Sequence, residues 1–335
     1  MYLELLKLLA DGKFHSGETL AASLNVSRTA IWKMIPRLRD LGLELHSVKG
    51  KGYRLLEALD LLDEDRVRHF LAAGVRRKLG RLEIFPSIPS TSSYLMERVQ
   101  EGSIDLGEGK VAVCLAEQQS SGRGRRGRLW VSPFGHNLYL TIAREFNHGI
   151  SELEGLSLVV GLSLIRVLKR NGFDELAIKW PNDVLWRGKK LAGILLEISG
   201  DPTGLTQVLI GLGLNVKVPS KDMREVDQAW TDLFSIKPNL PERNKLAAEI
   251  ISEITGTIAD FEKLGFGSFR QEWDTLDALK HQQVVLRTSM HTSTAVQGIV
   301  RGVDEHGALL LETVSGLQTF HGGEISPRVV QDGST

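Results

Sequence analysis

The residues best suited to chemistry fall in three short runs. The first, Gly122-Arg123-Gly124-Arg125-Arg126-Gly127-Arg128, follows the polar segment Glu117-Gln118-Gln119-Ser120-Ser121. Glycines let a backbone approach a ligand and turn its amides toward an anion. Arg123, Arg125, Arg126 and Arg128 add permanent charge and forked donors for carboxylate and phosphate. Such a run suits a loop that closes over a triphosphate. Taken alone, it suits an arginine–glycine RNA-binding patch or an exposed basic loop as well. The second run is Lys179-Trp180-Pro181-Asn182-Asp183, entered from apolar residues 176–178. Lys179 can neutralise phosphate, Asn182 can orient a polar group, and Asp183 can take a proton or hold Mg²⁺. Pro-Asn-Asp is also good turn chemistry, so a plain strand-end turn fits equally. In the third run, residues 187–195, a tight turn delivers Lys190 at the start of an apolar strand, where its ammonium can enter a pocket. A solvated hairpin tip is the other reading, and it suits Lys189.

The elements that must position these groups are legible around them. Segments 111–116, 138–143, 177–180, 191–198 and 207–216 have strand character, and 153–169 and 243–263 have helix character. The strands are too closely spaced for regular strand–helix–strand crossovers. The spacing predicts a mixed or mainly antiparallel sheet with helices on one face. Residues 61–80 are charged and helical in character and are expected to form a connector. Near the end, 283–287, 294–303, 308–312, 317–320 and 325–330 predict five short strands, as in a small closed barrel.

The first sixty residues have another character. Leucines at 5, 6, 8 and 9 precede the helix stop Asp11-Gly12; a second helix is expected over 18–24, and Ser27 can cap a third. Ile31, Ile35 and Leu38 give that third helix an apolar face. Pro36 lies inside it, where it removes a backbone bond at a cost of about 3 kcal/mol and predicts a kink. Residues 45–55 read as two strands around Lys-Gly-Lys-Gly. Helix, helix, turn, helix and basic hairpin make a winged helix-turn-helix pattern. Residues 1–57 hold nine lysines and arginines against six acidic residues, inside a chain of net charge zero. Ser27, Arg28, Thr29, Lys33 and Arg37 would face a major groove, with Lys49 and Lys51 meeting phosphates.

The whole chain has 335 residues, 42% of them hydrophobic, enough for two or three domains with real cores. A net charge of zero excludes a uniformly basic nucleic-acid binder but leaves room for one basic face. The single cysteine, Cys114, fits a reducing compartment and cannot by itself build a thiolate zinc site. The most apolar stretch, 156–165, is half the length of a membrane span of about 20 residues. No membrane association is expected, and no secretion signal is evident at Met1-Tyr2-Leu3-Glu4.

Taken in order, the runs closely resemble biotin protein ligases of the type that carry a DNA-binding domain and double as biotin operon repressors. The resemblance covers essentially the whole chain. It includes Phe14-His15-Ser16, Lys49-Gly50-Lys51-Gly52-Tyr53, Ser90-Thr91, residues 122–128, Ser132-Pro133-Phe134-Gly135, 179–183 and 190–195. It continues through Gly211-Leu212-Gly213-Leu214-Asn215 and Gly322-Gly323-Glu324-Ile325-Ser326. It implies an α+β multidomain chain: a winged helix-turn-helix over 1–60, a class II synthetase-like mixed sheet with helices over 61–267, and an SH3-like barrel over 268–335.

It further implies that ATP activates biotin to biotinyl-5′-AMP, with Mg²⁺, for transfer to a lysine of a biotin carboxyl carrier protein. Ser90, Thr91, Ser92, Gln119, Arg123, Gly124, Arg125 and Lys190 would line the biotin site; Ser92 stands where the family usually has asparagine. Arg123, Arg126, Arg128, Lys179, Asn182, Asn215 and Trp230 would meet the nucleotide, Trp230 in the segment resembling an adenine-stacking one. Lys190, Arg125 and Lys179 would offset charge during catalysis, and Asp183 would take the amine proton. By the same resemblance the protein is cytoplasmic, and its adenylate-bound form is a homodimer that represses at operator DNA. A lipoate ligase, a ligand-sensing transcription factor without catalysis and an arginine–glycine RNA binder are the rival readings.

Overall fold

The computed structural model describes residues 1–147, 149–200, 204–223, 226–288, 295–322 and 325–329. It begins with α1 (Tyr2–Leu9), α2 (Gly17–Ser23), α3 (Arg28–Asp40) and the antiparallel hairpin β1 (Leu45–Val48)–β2 (Gly52–Leu55). Ser16 and Ser27 cap α2 and α3, accepting from Thr19 N at 3.0 Å and Ala30 N at 3.2 Å. Leu5, Leu6, Leu9, Leu20, Ile31, Ile35, Leu38 and Leu55 form the small core. The helix α3 continues through Pro36 without a break. Buried Met34, Ile35 and Leu38 flank the exposed proline, so packing of the opposite face offsets the missing bond. The wing is locked to the start of α2 by reciprocal backbone bonds of 2.9 Å between His15 and Tyr53. At Gly52, with φ +98°, a Cβ would fall 1.9 Å from the His15 carbonyl oxygen, so only glycine fits.

Residues 61–80 are not the connector expected from their charge. They fold as α4 (Glu64–Phe70) and α5 (Ala73–Lys78), and Val67, Leu71 and Val75 enter the main core. The central unit continues with β3 (Leu79–Phe85), α6 (Thr91–Gln100), β4 (Val111–Ala116), β5 (Leu138–Phe146) and α7 (Leu156–Arg170). Then come β6 (Leu176–Lys179), β7 (Asp183–Trp186), β8 (Lys189–Gly200), β9 (Thr206–Leu214), α8 (Leu233–Ile236), α9 (Arg243–Leu264) and α10 (Arg270–Asp274). The seven strands lie in the order β3-β4-β5-β9-β8-β7-β6. Only β3 and β4, joined by the α6 crossover, run parallel.

Helices cover both faces of this sheet, not one. Along β4 the side chains alternate, Val111, Val113 and Leu115 joining the core with α7 and α9, Ala112 and Cys114 packing with Leu95 and Val99 of α6. Small residues on the second face let α6 sit close, and burial pushes the Cys114 thiol far up from its ordinary pKa. The apolar α7 is almost wholly buried, as its sequence predicts. Among the described residues no helix is long and apolar enough to cross a membrane.

The last unit is a five-stranded antiparallel sheet of β10 (Gln283–Thr288), β11 (Ala295–Val303), β12 (Leu309–Thr313), β13 (Gly316–Phe320) and β14 (Ile325–Val329), in the order β13-β12-β11-β10-β14. Its strands match the five expected; Thr294 and Val330 lie outside the described residues. Val284, Leu286, Val300, Val303, Leu309 and Leu311 join the central core, so this sheet does not close a core of its own.

One buried ion pair ties several segments together. Arg243, at the start of α9, donates to Glu117 Oε2 at 2.9 Å and to the carbonyls of Asn137 at 2.7 Å and Asp60 at 2.6 Å. Glu117 in turn accepts from Leu62 N at 2.5 Å. The two side chains are 6% and 5% exposed, so neither charge is screened by water. Replacing Arg243 with methionine strands the carboxylate, and should lower stability by about 3–5 kcal/mol in urea unfolding. The double variant Glu117→Leu/Arg243→Met should recover most of that loss; a single variant as stable as the parent would show that the pair is not a clamp.

Candidate active site

The three runs singled out by sequence converge at one end of the central sheet. The floor is made of glycines: Gly193 on β8 pairs with Gly213 on β9, and Leu195 with Gly211. A Cβ at Gly213 would lie 2.4 Å from the indole of Trp130, and one at Gly193 would lie 3.0 Å from it. The missing side chains thus make a slot for a flat group, and Trp130 lies in it. Its Nε1 is buried with no hydrogen-bond partner among the described residues. With the indole in the slot, the remaining cleft is about 120 Å³.

One wall comes from the start of α6. Ser90 caps the helix, accepting from Ser93 N at 3.3 Å, and Ser90, Thr91 and Ser92 are all buried against the cleft. Thr141, fully buried on β5, shares hydrogen bonds with the hydroxyls of Thr91 at 2.8 Å and Ser92 at 3.0 Å. Gln119 Oε1 accepts from Thr91 N at 2.9 Å and from Thr91 Oγ1 at 3.1 Å. This wall is a fixed set of hydroxyl and amide groups with few ways to rotate.

The opposite wall is cationic. The loop of residues 122–128 is a hairpin, with Gly124 N donating to Arg128 O at 2.7 Å and Trp130 N to Gly122 O at 2.9 Å. Arg123, Gly124, Arg125, Arg126 and Arg128 all line the cleft. The Arg123 guanidinium is turned to Glu197 at 2.9 Å. Arg125 is the inward one: it donates to Asn182 Oδ1 at 3.2 Å and to the carbonyl of Gly322. Burial and the neighbouring Arg126 lower its pKa from the usual value. Asn182 is itself held by Ile194 O, to which its Nδ2 donates at 2.8 Å.

Residues 179–183 do form the turn their composition suggests, between β6 and β7, and the same turn presents Asn182 and Asp183 to the cleft. Lys190, beside a bulge in the β7–β8 ladder, pairs with Asp183 at 2.8 Å; its ammonium lies 5.4 Å from the centre of the Trp130 ring. Lys189 is exposed. Lys179 is displaced from the position expected of it: it lies behind Asp183 and does not line the cleft. Burial lowers its pKa, and Lys190 pushes the same way, while the Asp183 carboxylate raises it.

Asn215 and Trp230 line a small adjoining recess together with Lys190 and Trp130. Asn215 is also a structural tie, its Nδ2 donating to Thr231 O at 3.0 Å. Lys190 and Trp230 are joined by a backbone bridge, with Lys190 N donating to Ala229 O at 2.9 Å. Sequence reasoning missed Trp130, Thr141 and Gln228 as parts of the site, and the role of the glycine floor. Alternate glycines in two neighbouring apolar strands were the available signal. Gly323 and Glu324 lie outside the described residues.

A second candidate surface lies on the N-terminal unit. Ser27, Arg28, Thr29, Lys33, Arg37, Lys49 and Lys51 are all exposed. Ser27 Oγ is engaged as the cap, and Arg28 pairs with Glu18 at 3.1 Å. The two surfaces are linked, because Phe134, only a few residues beyond Trp130, is buried in the helix-turn-helix core.

The Biotin/lipoate A/B protein ligase family matches residues 84–215, an HTH domain matches 3–54, and the Biotin protein ligase C terminal domain matches 282–328. The bifunctional ligase/repressor BirA of Salmonella typhimurium is 40% identical over 97% of this chain and 97% of its own length. That of Escherichia coli is also 40% identical over 97% of each. Among solved structures, the biotin protein ligase from Aquifex aeolicus in complex with biotin and ATP superposes with a TM-score of 0.61 at 26% identity. The overlap covers 75% of this chain and 99% of that one.

The charge coupling in the cleft has a measurable consequence. Asp183→Asn removes the carboxylate that raises the Lys179 pKa and leaves Lys190, which lowers it. The pH at which Lys179 becomes reactive toward acetic anhydride should therefore fall. A titration that stays in place or moves up would show that the two groups do not sense each other.

Proposed function

The chain belongs to the bifunctional ligase/repressor family of biotin protein ligases, and from that premise we propose how its residues divide the work. The observation that carries the reading is the meeting of Lys190, Arg125 and Asp183 over a glycine floor, between a fixed hydroxyl wall and an arginine loop. Biotin lies on the floor once the Trp130 indole has left it, with its ring system toward Ser90, Thr91, Ser92 and Gln119 and the backbone of Arg123 and Gly124. Its carboxylate turns toward Lys190. ATP enters on the arginine side, its phosphates near Arg123, Arg126 and Arg128 and its adenine toward Trp230 and Asn215. Lys179 acts at longer range, and Asn182 acts by holding Arg125 in place.

Both reactants are anions, so chemistry needs the repulsion removed. A biotin carboxylate oxygen attacks the α-phosphorus, the bond to the β-phosphate oxygen breaks, and pyrophosphate leaves. Arg125 and Lys190 offer charge where it builds up in that transition state. Positioning alone can supply about 7–11 kcal/mol. The product, biotinyl-5′-AMP, is a mixed anhydride that water would destroy, and the loop of residues 122–128 covers it. The amine of a carrier-protein lysine then attacks the biotinyl carbonyl, the bond to the phosphate oxygen breaks, and AMP leaves. Asp183, released from Lys190, takes the amine proton.

Asp183 is the single carboxylate among the described residues lining the cleft, and no group of three or more metal-ligating side chains occurs among the described residues. Magnesium commonly takes one or two carboxylates together with substrate phosphates and waters, so this donor set fits an ion carried in with ATP. When bound, it supplies further neutralisation of the phosphates.

The exposed basic face of α3 and the wing supports operator binding, and adenylate-driven pairing of two chains would present two such faces to a palindrome. A division into units at 1–60, 61–267 and 268–335 is supported at its first boundary by the separate N-terminal core, while the last sheet begins only at Gln283. A cytoplasmic location agrees with a chain that holds a single, buried cysteine.

Exchange of labelled pyrophosphate into ATP tests the reading directly. Exchange that requires biotin is the expected result; exchange with lipoate instead moves the site to the neighbouring chemistry, and none with either ligand leaves a sensor without catalysis. Arg125→Gly should retain biotin-dependent exchange but release the adenylate at least tenfold faster in a rapid-filtration assay, a change of about 1.4 kcal/mol in hold. Retention as tight as in the parent would remove Arg125 from the clamp.

A further inference from the structure

The helix α3 carries one large apolar group on the side that faces away from its core. Ile31, Met34, Ile35 and Leu38 are buried, whereas Trp32 is 65% exposed. It stands one turn beyond Arg28 and one turn before Pro36, directly beside Lys33, all of them exposed. An indole is an expensive group to leave in water, since it offers some 150–250 Å² of mostly apolar surface. Its setting decides what could cover it. Arg28 lies one turn before it and Lys33 next to it, and Arg37, Lys49 and Lys51 are exposed on the same unit, so a cationic or purely apolar partner would meet excess positive charge there. A polyanion with an apolar spot inside a groove meets both demands at once.

Duplex DNA has such a spot. The thymine C5-methyl is the one apolar group that a base edge shows in the major groove. The first turn of α3 holds the polar residues suited to hydrogen-bond base edges, and Trp32 lies in the next turn on the flank of Arg28. We propose that Trp32 reads thymine, packing its indole on one or two thymine methyl groups, so that the sites this chain prefers carry thymines opposite the second turn of α3. The inference rests on the DNA-binding reading of the N-terminal unit and adds a residue and a base to it.

The test uses the full chain with biotin and ATP. Duplexes enriched from a pool randomised over about 40 base pairs, long enough for two half-sites, are remade with each thymine replaced in turn by deoxyuridine. That change removes the methyl group and nothing else. One or two replacements should weaken binding about three- to fourfold, the worth of one buried methyl, and those same replacements should cost Trp32→Ala nothing. Trp32 is exposed, so this variant should keep the parent's pyrophosphate exchange. Enrichment without any deoxyuridine effect, or an equal effect in Trp32→Ala, overturns the role of Trp32 and leaves the DNA reading intact. Loss of self-association in Trp32→Ala, with binding to the duplex per dimer unchanged, would assign the indole to a second copy of the chain and overturn the proposal. Failure of the parent to enrich any duplex would overturn the DNA reading, and the proposal with it.

Discussion

The architecture depends on a charge pair placed where water cannot reach it. Glu117 directly follows the strand β4 and Arg243 opens α9, and between them they fasten Asp60, Leu62 and Asn137. Two buried charges are tolerated only when each is paired and its remaining donors and acceptors are used. Here the terminal guanidinium nitrogens of Arg243 and Glu117 Oε1 also bond to backbone, while Arg243 Nε has no partner among the described residues, so the pair fixes the path of three chain segments at the cost of one unused donor. Asn244 extends the arrangement, accepting from Asp63 N at 2.8 Å. The residue after Glu117 begins the run that contains Gln119 and then the arginine loop. The clamp therefore sets the starting point of one side of the active site, and it also fixes where the chain leaves the helix-turn-helix unit.

From that starting point the site is assembled by subtraction and by pairing. Subtraction is the glycine floor, where absent side chains leave room on two adjacent strands. Pairing is the set of counter-charges: Lys190 with Asp183, Arg123 with Glu197. Arg125 is oriented in part by amide and carbonyl oxygens, those of Asn182 and Gly322. A cation oriented by dipoles is a ready-made donor for an incoming anion and needs little reorganisation when charge develops. The cleft thus holds two of its cations, Lys190 and Arg123, against resident carboxylates that incoming anions can replace.

Much of this was legible in the residues because much of it is local. The cap at Ser27, the basic hairpin, the five late strands and the cationic loop all follow from neighbours in sequence. The helix ending in Lys78 was not legible as core, because its charges are spaced as in a linker and only α9 tells which side is buried. The helix continues past Pro36 because Met34, Ile35 and Leu38 pack in the core of this unit, an energy that a propensity scale does not contain. Within the site, the arginines were visible but not which one points inward, for that depends on Asn182 and on Gly322, 197 positions away in the chain. Trp130 was invisible for the same reason, its place being set by glycines on β8 and β9.

The short path from Trp130 to Phe134 joins two compartments that have separate cores. Trp130 lies in the catalytic slot, and Phe134 is rooted among Leu5, Ile35 and Leu55. Between them Ser132 is bonded back to Trp130 O at 2.8 Å, and the Pro133 carbonyl accepts from Tyr139 at 3.0 Å, leaving little slack. Four residues reach at most about 14 Å when fully stretched. The catalytic slot and the core of the helix-turn-helix unit thus draw on one short stretch of chain, and neither Trp130 nor Phe134 has much backbone to spare.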